Sequence, residues 1–518
     1  MGASQQDYHG DNSNNEKAAQ VMETTHTERV IVQDKKIDGD AASSDSSDGV
    51  ENDEEKAKGF RKPYVKSEAE KKLVRKIACT LMPFVAWILM LQFADKAALS
   101  VSAVLGIYDD VHLTGSQFSW LGSMFFIGHL VCQPFNNILL QKLPVGRYLG
   151  VCIFIWGFIM LATAGQGSRN NSDLESNYEL PPYFFSVYLI VNTLFRRSEQ
   201  TTFYGIVTMA SGWGSIFGGL VAYGISNLGH QRGIMMWRWN HIIFGALTIL
   251  LGLLCFFFLV DNPKSWLLRL TEEEEKIADE RTRDNAVVRH QNIKWGQMLE
   301  ALTEVRFYCI CLAVMGLNMQ NGALQVFSAQ FIKELGDFTA GESILLKVPA
   351  GTCSFLGVVF ATIVARRTGQ ICYTGAFMST VSLIGCIILA VVEQGPAKLA
   401  GFYISWFLTG GYSLLITTIG TNVSGYSKKI FYNGAFVIFY TIGNFIGPLC
   451  MVEREAPRYT GAMIGFCIGN GVAIASYLVM RFMMAKENQK RLANPPAEET
   501  DVTLDLTDKQ DRNYIYKL

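Results

Sequence analysis

Long apolar segments alternate with short polar ones from residue 81 onward, whereas the first 60 residues are almost entirely polar. A helix that crosses a membrane needs about 20 predominantly apolar residues. Six apolar segments precede a long polar segment at 261–304, and six follow it. This pattern predicts an all-α polytopic membrane protein with about 12 transmembrane helices. The predicted spans are 81–107, 118–140, 148–166, 183–195, 203–228 and 241–260, followed by 305–332, 348–365, 371–392, 399–420, 430–452 and 459–480.

The fourth apolar segment is shorter than the others. It contains 13 residues, 183–195, before Arg196 and Arg197. A helix of that length extends about 20 Å, which is less than the roughly 30 Å thickness of the hydrocarbon core. The segment is therefore a half-span, a re-entrant segment, or a place where residues are missing from the chain.

The composition agrees with a membrane protein and argues against binding to nucleic acid. The chain is 49% hydrophobic and 18% charged, and its net charge is −1. We therefore expect the lipid bilayer as a partner and no nucleic acid. Lys and Arg are concentrated just before the first predicted span, in the central polar segment and just after the last span. Six predicted spans separate each of these segments from the next, so all three lie on the same side of the membrane. The positive-inside rule then predicts that both termini are cytoplasmic.

Composition also divides the chain into five segments. Residues before the first span are rich in Ser, Asp and Glu and cannot bury enough apolar surface to fold. In the central segment, Thr271 and Glu274 form a capping-box pattern that predicts a solvated surface helix. The predicted segments are a disordered cytoplasmic tail at 1–76, a six-helix bundle at 77–260, a cytoplasmic central loop at 261–304, a second six-helix bundle at 305–484 and a disordered cytoplasmic tail at 485–518.

Two adjacent charges, Asp95 and Lys96, lie near the middle of the first predicted span. A charge at mid-bilayer costs roughly 2.5–3.5 kcal/mol on insertion scales. Adjacent helical residues point about 100° apart, so each of these charges needs a partner elsewhere. One interpretation is a polar cavity to which this helix contributes charge. The alternative is a structural ion pair with other helices, or a shallow helix from which Lys96 reaches the membrane surface.

Several other predicted spans carry amide side chains that lipid would not tolerate. Asn318, Asn321 and Gln325 fall on one helix face around Gly322, as in a discontinuous helix beside a cavity. The alternative is hydrogen bonding between helices, which is worth about 0.6 kcal/mol per pair. For the clustered set we favour a binding site in which Lys96 meets a substrate carboxylate and amides orient it. The candidate site residues are Gln92, Asp95, Lys96, Gln133, Asn318, Gln320, Asn321, Gln325, Asn422 and Asn444.

No pattern in the sequence indicates an enzyme. It contains no phosphate-binding glycine loop with a lysine, no metal-ligand spacing and no nucleophile elbow. We therefore expect neither a catalytic residue nor a metal or other cofactor.

Several longer motifs give the chain a family resemblance. They are FADKAAL at 93–99, GSQFSWLGSMFFIGHLV at 115–131, LLQKLPVGRYLG at 139–150, FRRSEQ at 195–200, LTEEEEKIADERTRDN at 270–285 and GNFIGP at 443–448. As a set, they resemble the allantoate permease family, in the anion:cation symporter group of fungal major facilitator proteins. The resemblance implies a major facilitator fold, alternating access and proton-coupled uptake of a small organic anion. Asp95 and Lys96 align with the family's charged site.

One departure from the family concerns the fourth span. Relatives carry an Arg and, a turn or two later, a Glu in a complete fourth span, whereas this chain matches only the end of that span at FRRSEQ. The resemblance still implies a secondary transporter for an allantoate-, carboxylate-, amino-acid- or vitamin-like anion. We expect a monomer in the plasma membrane with protons as the coupling ion. The alternative is a non-transporting nutrient sensor or a degenerate paralogue.

Overall fold

The computed structural model describes residues 67–165, 195, 197–228, 233–260, 265–285, 294–336, 338–392, 395–494 and 505–518. Regular structure within these residues is helical. Two short 3-10 turns occur at Trp266–Leu268 and Glu453–Glu455. The α-helices, in chain order, are α1 (Glu68–Val104), α2 (Ile107–Val111), α3 (Gly115–Lys142), α4 (Val145–Gly165), α5 (Arg197–Ser226), α6 (Met236–Phe258), α7 (Glu272–Asn285), α8 (Trp295–Leu302), α9 (Val305–Gly336), α10 (Ala340–Thr368), α11 (Ile371–Val391), α12 (Lys398–Ser405), α13 (Leu408–Asn422), α14 (Tyr426–Leu449) and α15 (Thr460–Ala493).

Among the described residues, nine helical segments are long and apolar enough to cross a membrane. They are α1, α4, α6, α9, α10, α11, the consecutive pair α12–α13, α14 and α15. The prediction of a polytopic helical membrane protein is therefore confirmed. The predicted fourth span lies outside the described residues apart from its last residue, Phe195.

Side-chain caps fix where several of these helices begin. The predicted capping box is present at the start of α7, where Glu274 accepts from the Thr271 backbone N–H at 3.1 Å and the Glu274 N–H donates to the Thr271 hydroxyl at 3.3 Å. The same arrangement of Thr114 and Gln117 begins α3. Each box satisfies backbone N–H groups that have no partner inside the helix.

The first helix begins earlier than the composition predicted. The hydroxyl of Ser67 accepts from the Glu70 N–H at 3.1 Å, and α1 starts at Glu68 rather than after residue 76. Lys76 then binds the Glu274 carboxylate at 3.0 Å and the Arg269 carbonyl at 3.1 Å. The predicted boundary of the disordered tail at 76 is therefore wrong, because the basic flank is the first part of α1 and pairs with the acidic α7.

Close helix approach in the first half depends on two glycines of α5. A Cβ at Gly214 would lie 2.5 Å from the Met90 carbonyl oxygen, and one at Gly218 would lie 2.9 Å from the Ala94 Cα. Both neighbours belong to α1, so α1 and α5 pack closely at these two glycines. Small residues allow such approach within a membrane, where packing rather than the hydrophobic effect holds helices together.

The second half has a similar crossing between α9 and α14. A Cβ at Gly322 would overlap the carbonyl oxygen of Asn444, and a Cβ at Gly447 would overlap that of Met319. The two backbones are therefore in direct contact. The division of the chain into two six-helix bundles stays a prediction.

The ends of the helices define two faces, which we call the tail face and the distal face. The tail face contains the start of α1 and the end of α15, and the distal face contains the end of α1 and the start of α3. Near the distal face, hydrogen bonds join the first half to the second. They connect Ser100 with Ser328 (3.0 Å), Tyr108 with Gln330 (2.7 Å), the Gly115 N–H with Glu453 (2.9 Å) and Ser123 with the Phe445 carbonyl (2.9 Å).

The C-terminal segment 505–518 packs against the tail face of the second half. Asp508 is fully buried and pairs with Arg306 at 2.7 Å and Lys428 at 2.9 Å, and the hydroxyl of Tyr516 donates to it at 2.7 Å. The helix α15 also continues to Ala493. The predicted disorder of 485–518 is thus wrong over 485–493 and 505–518, because buried cations on α9 and α14 compensate the acidic charge of this segment.

Replacing Asp508 with asparagine should destabilise this end of the molecule. The change removes the charge that faces Arg306 and Lys428, which costs about 3 kcal/mol for a buried pair of this kind. We expect a lower thermal unfolding temperature for the purified D508N protein. Asp109 is exposed, and D109N serves as the control that should leave the temperature unchanged. An unfolding temperature equal to that of the wild type would contradict the structural role of Asp508.

The pH dependence of this contact follows from the charge of Asp508. Burial would raise the pKa of the Asp508 carboxyl, but the charges of Arg306 and Lys428 outweigh burial and hold the pKa below its usual value. The charged Asp508 carboxylate therefore contributes fully to the free energy of unfolding above the pKa of an aspartate in the unfolded chain, about 3.9. This contribution is lost as the pH falls through the lower pKa of Asp508 in the folded protein. The difference in unfolding temperature between D508N and the wild type should thus be the same at pH 6 and pH 8.

Candidate functional site

Asp95 is held in place by two donors from neighbouring helices. Its Oδ2 accepts from the indole N–H of Trp156 on α4 at 3.0 Å and from the hydroxyl of Thr248 on α6 at 3.2 Å. The side chain is buried. Its other carboxylate oxygen, Oδ1, has no hydrogen-bond partner. The Asp95 carboxylate is therefore positioned by α4 and α6 rather than by Lys96.

Lys96 lies beside Asp95 in a cavity of about 50 Å³, which we call the first cavity. The Lys96 Nζ is 5.6 Å from the ring centroids of both Phe93 and Phe125. Cations gain a modest electrostatic stabilisation from aromatic faces at such distances. The first cavity is also lined by Leu99, Gly122, Phe126, Trp156, Ile159, Met160, Thr163, His241, Gln325 and Val326.

A larger cavity, the second cavity, lies between the two halves of the chain and has a volume of about 130 Å³. A space of that volume is large enough for several water molecules. Its walls come from α1 and α5 on one side and from α9, α10 and Trp406 on the other. Gln325 of α9 lines both cavities, so the two adjoin at this residue. Lys347 of α10 lines the second cavity.

Most of the amides predicted on α9 bind other helices instead of lining either cavity. Asn321 donates to Asn444 of α14 at 2.9 Å, and Asn444 donates to Asn318 at 3.3 Å. Gln320 is fully buried, donates to the Ser405 carbonyl at 2.9 Å and accepts from Asn470 at 2.7 Å. These contacts correspond to the alternative interpretation, hydrogen bonding between helices. Gln325 is the predicted α9 amide that the structure places with Asp95 and Lys96.

The other predicted amides are more scattered. Gln92 is buried and Gln133 is half-buried, and the side-chain oxygen of each has no hydrogen-bond partner. Asn422 lies at the tail face, where its amide donates to the Lys517 carbonyl at 2.8 Å and accepts from the Lys517 N–H at 2.7 Å. Asn422 therefore does not lie with Asp95 and Lys96, because its amide binds the C-terminal segment.

Sequence reasoning missed Lys347 because the predicted eighth span began at residue 348. In the structure, α10 starts at Ala340, and Thr339 forms a capping box with Glu342. That pattern is readable in the sequence and would have placed Lys347 two turns inside the helix. Trp156 and Thr248 carry no comparable signal, since an isolated Trp or Thr in an apolar segment is ordinary.

Comparison with known proteins identifies the family. Residues 181–448 match the Major Facilitator Superfamily, which is just over half of the chain. The chain belongs to the major facilitator superfamily. The predicted fold is therefore confirmed, and so is the prediction that the protein is not an enzyme, since the related proteins are transporters.

The chain is also similar over most of its length to individual fungal transporters. It is 29% identical to an uncharacterized transporter of Schizosaccharomyces pombe, over 87% of this chain and 90% of that protein. It is 28% identical to the thiamine pathway transporter THI73 of Saccharomyces cerevisiae (88% and 87% covered). It is 26% identical to the allantoate permease of the same yeast (91% of each covered). These similarities confirm the predicted resemblance to the allantoate permease group.

Solved structures share the fold at low sequence identity. A proton:xylose symporter, XylE, bound to 6-bromo-6-deoxy-D-glucose superimposes with a TM-score of 0.59 at 13% identity, over 79% of this chain and 95% of that one. A bacterial homologue of the lysosomal transporter Spinster, in an inward-facing and occupied conformation, gives 0.55 at 14% identity, over 80% and 97%. With the family match and the similarity to fungal transporters, the chain is a multi-pass membrane protein and a secondary transporter.

Proposed function

We propose that this transporter imports a small organic anion together with protons by alternating access. The single observation that carries the proposal is the pair of adjoining cavities, which hold the cations Lys96 and Lys347 and share the amide of Gln325. A cation inside a membrane protein is costly unless a counter-charge or water reaches it. An anionic cargo provides that counter-charge for Lys347. The similarity to an allantoate permease supports the same class of cargo.

Asp95 is our candidate for the residue that takes up and releases the coupled proton. Its carboxyl lines the first cavity next to Lys96, and two donors already fix one of its oxygens. Carboxylates at such positions are common in proton-coupled carriers. The Arg and Glu that relatives carry in the fourth span have no counterpart in the sequence motif here, so Asp95 is the acidic residue that we assign to this role.

The contacts at the distal face support a particular conformation. Hydrogen bonds between the two halves close that face, so exchange of cargo in this state proceeds toward the tail face. With the tail face assigned to the cytoplasm by the positive-inside rule, the state is inward-facing. We further propose a monomer in the plasma membrane with both termini in the cytoplasm.

Reconstitution into proteoliposomes tests the proposed function. We expect uptake of at least one compound from a panel of allantoate, ureidosuccinate, nicotinate and cysteine, measured as accumulated radiolabel. Uptake should increase when the outer buffer is acidic relative to the lumen, and a protonophore should abolish that increase. An uptake rate that does not depend on the pH gradient would overturn the proposed proton coupling. Specific binding of a panel compound without uptake would favour the alternative of a nutrient sensor.

A further inference from the structure

Lys347 places a positive charge in the second cavity, and no described residue pairs with that charge. It lies two turns inside α10, and it makes no hydrogen bond or ion pair with any described residue. Its side chain is half-buried and faces the cavity. A lysine held in this way inside a membrane protein is expected to have an anionic partner that binds and leaves.

The indole of Trp406 lines the same cavity and carries a second donor without a partner. This residue links α12 to α13 and is 8% exposed, and its indole N–H has no hydrogen-bond partner. The ring is fixed by its edge-to-face contact with Phe402, at 6.3 Å between centroids. A buried N–H without an acceptor costs about 1–3 kcal/mol, so an acceptor from the cargo would stabilise it. Lys347 and Trp406 therefore offer two donors and no acceptor, which suits the two oxygens of a carboxylate.

The charges of the two cavities distinguish Lys347 from Lys96. Among the described residues, the first cavity contains the carboxylate of Asp95 beside the ammonium of Lys96, so its two charges offset each other. The second cavity contains Lys347 without an acidic residue among its described lining residues. The net charge of these three groups is positive by one unit, which a single carboxylate neutralises.

The two lysines lie at similar depth in the molecule. With a rise of 1.5 Å per residue, Lys96 is about 12 Å from the end of α1 and Lys347 is about 10 Å from the start of α10, and both of these ends lie on the distal face. Gln325 borders both cavities between them. A small molecule that binds at Lys347 can therefore extend past Gln325 toward Asp95 and Lys96.

We infer that the cargo is a monoanion whose carboxylate binds Lys347 and the indole N–H of Trp406, while its uncharged polar end extends past Gln325 toward the first cavity. This inference rests on the proposed function and revises the sequence-based expectation that Lys96 meets the carboxylate. It also assigns different roles to the two halves of the chain. The second half recognises the carboxylate, and the first half, with Asp95 and Lys96, contacts the remainder of the cargo.

The test compares variants in the proteoliposome assay, using allantoate or nicotinate, the two monoanions of the panel, whichever has the higher uptake, and its uncharged primary amide as a competitor. K347M should raise the KM for the carboxylate about 10- to 100-fold, as expected for loss of a charged hydrogen bond. W406F keeps the ring and should raise the KM about 3- to 10-fold. K347R should restore most of the affinity. Lys333 is an exposed lysine, so K333M serves as the matched control and should behave as the wild type.

Competition by the amide distinguishes recognition of the cargo carboxylate by Lys347 from a purely structural role of Lys347. In the wild type, the amide should compete far less well than the acid, and in K347M this difference should nearly disappear. A K347M protein that transports normally and still prefers the acid would overturn the inference and leave the proposed function standing. Absence of uptake for the whole panel in the wild type would instead reject the proposed function, and this inference with it.

Discussion

Replacing Gly447 with leucine is expected to abolish the folded protein. A Cβ at this position of α14 would overlap the Met319 carbonyl oxygen and lie 2.7 Å from the Ala323 backbone nitrogen. These atoms belong to the backbone of α9 and cannot move aside as a flexible side chain would. The two helices would have to separate, which also pulls Gly322 away from the Asn444 carbonyl and breaks the amide contacts nearby. Overpacking alone typically costs 1–3 kcal/mol, and a larger loss is expected here because backbone atoms block relaxation.

The chain offers a matched control for this change on the same helix. Gly434 is exposed, and a Cβ there would meet nothing within 4 Å. G434L should therefore elute as a single monodisperse peak in size-exclusion chromatography, with the unfolding temperature of the wild type. G447L should be recovered only as aggregate or not at all. A folded G447L protein of normal stability would show that α9 and α14 do not cross as described.

Replacing Lys96 with alanine is expected to remove transport while the protein remains folded. The change leaves the Asp95 carboxylate in the first cavity without its neighbouring cation, so the charge of that cavity becomes negative. An anionic cargo would then be repelled, and removing one partner of a buried charge pair costs about 2–5 kcal/mol. We therefore expect the initial uptake rate of K96A to fall by at least about 30-fold.

The control for K96A is an exposed lysine on the same helix. Lys72 lies on the surface near the start of α1, and K72A should transport at the wild-type rate. Both variants should be recovered at similar yield with a monodisperse elution profile. Uptake by K96A at the wild-type rate would show that the first cavity is not part of the transport pathway. Partial recovery of cargo exchange across the vesicle membrane, which needs no net proton transfer, in the double variant D95N/K96A would support the charge-based explanation, because that protein has no unpaired carboxylate.

Length and hydrophobicity were sufficient to predict the helical membrane fold. Apolar segments of about 20 residues have few alternatives to membrane helices, since lipid cannot satisfy exposed backbone groups. A local pattern also identified the capping box of Thr271 and Glu274. The helix ends were less predictable. Both α1 and α10 begin several residues before their apolar segments, because caps and ion pairs at the membrane surface extend them.

The candidate site was predictable only in part. Asp95 and Lys96 stand out because charges in an apolar segment are costly, and the structure does place both beside a cavity. The amides of α9 looked equivalent in sequence, yet Gln325 borders the cavities while Asn318 and Gln320 bind neighbouring helices. Sequence spacing gives the face of a helix on which a residue lies, but not which neighbouring helix or cavity that face meets.

The sequence by itself determined that this chain forms membrane-spanning helices, that one of them carries paired charges, and that it resembles fungal anion transporters. These properties are local or compositional, so each can be read from a single segment. Only the tertiary structure decided that Lys347 and Trp406, 59 positions apart in the chain, line one cavity, and that Asp508 is buried against Arg306 and Lys428. Such contacts depend on how separate helices pack, and packing is governed by backbone approach at glycines and by pairing of buried charges across the whole fold.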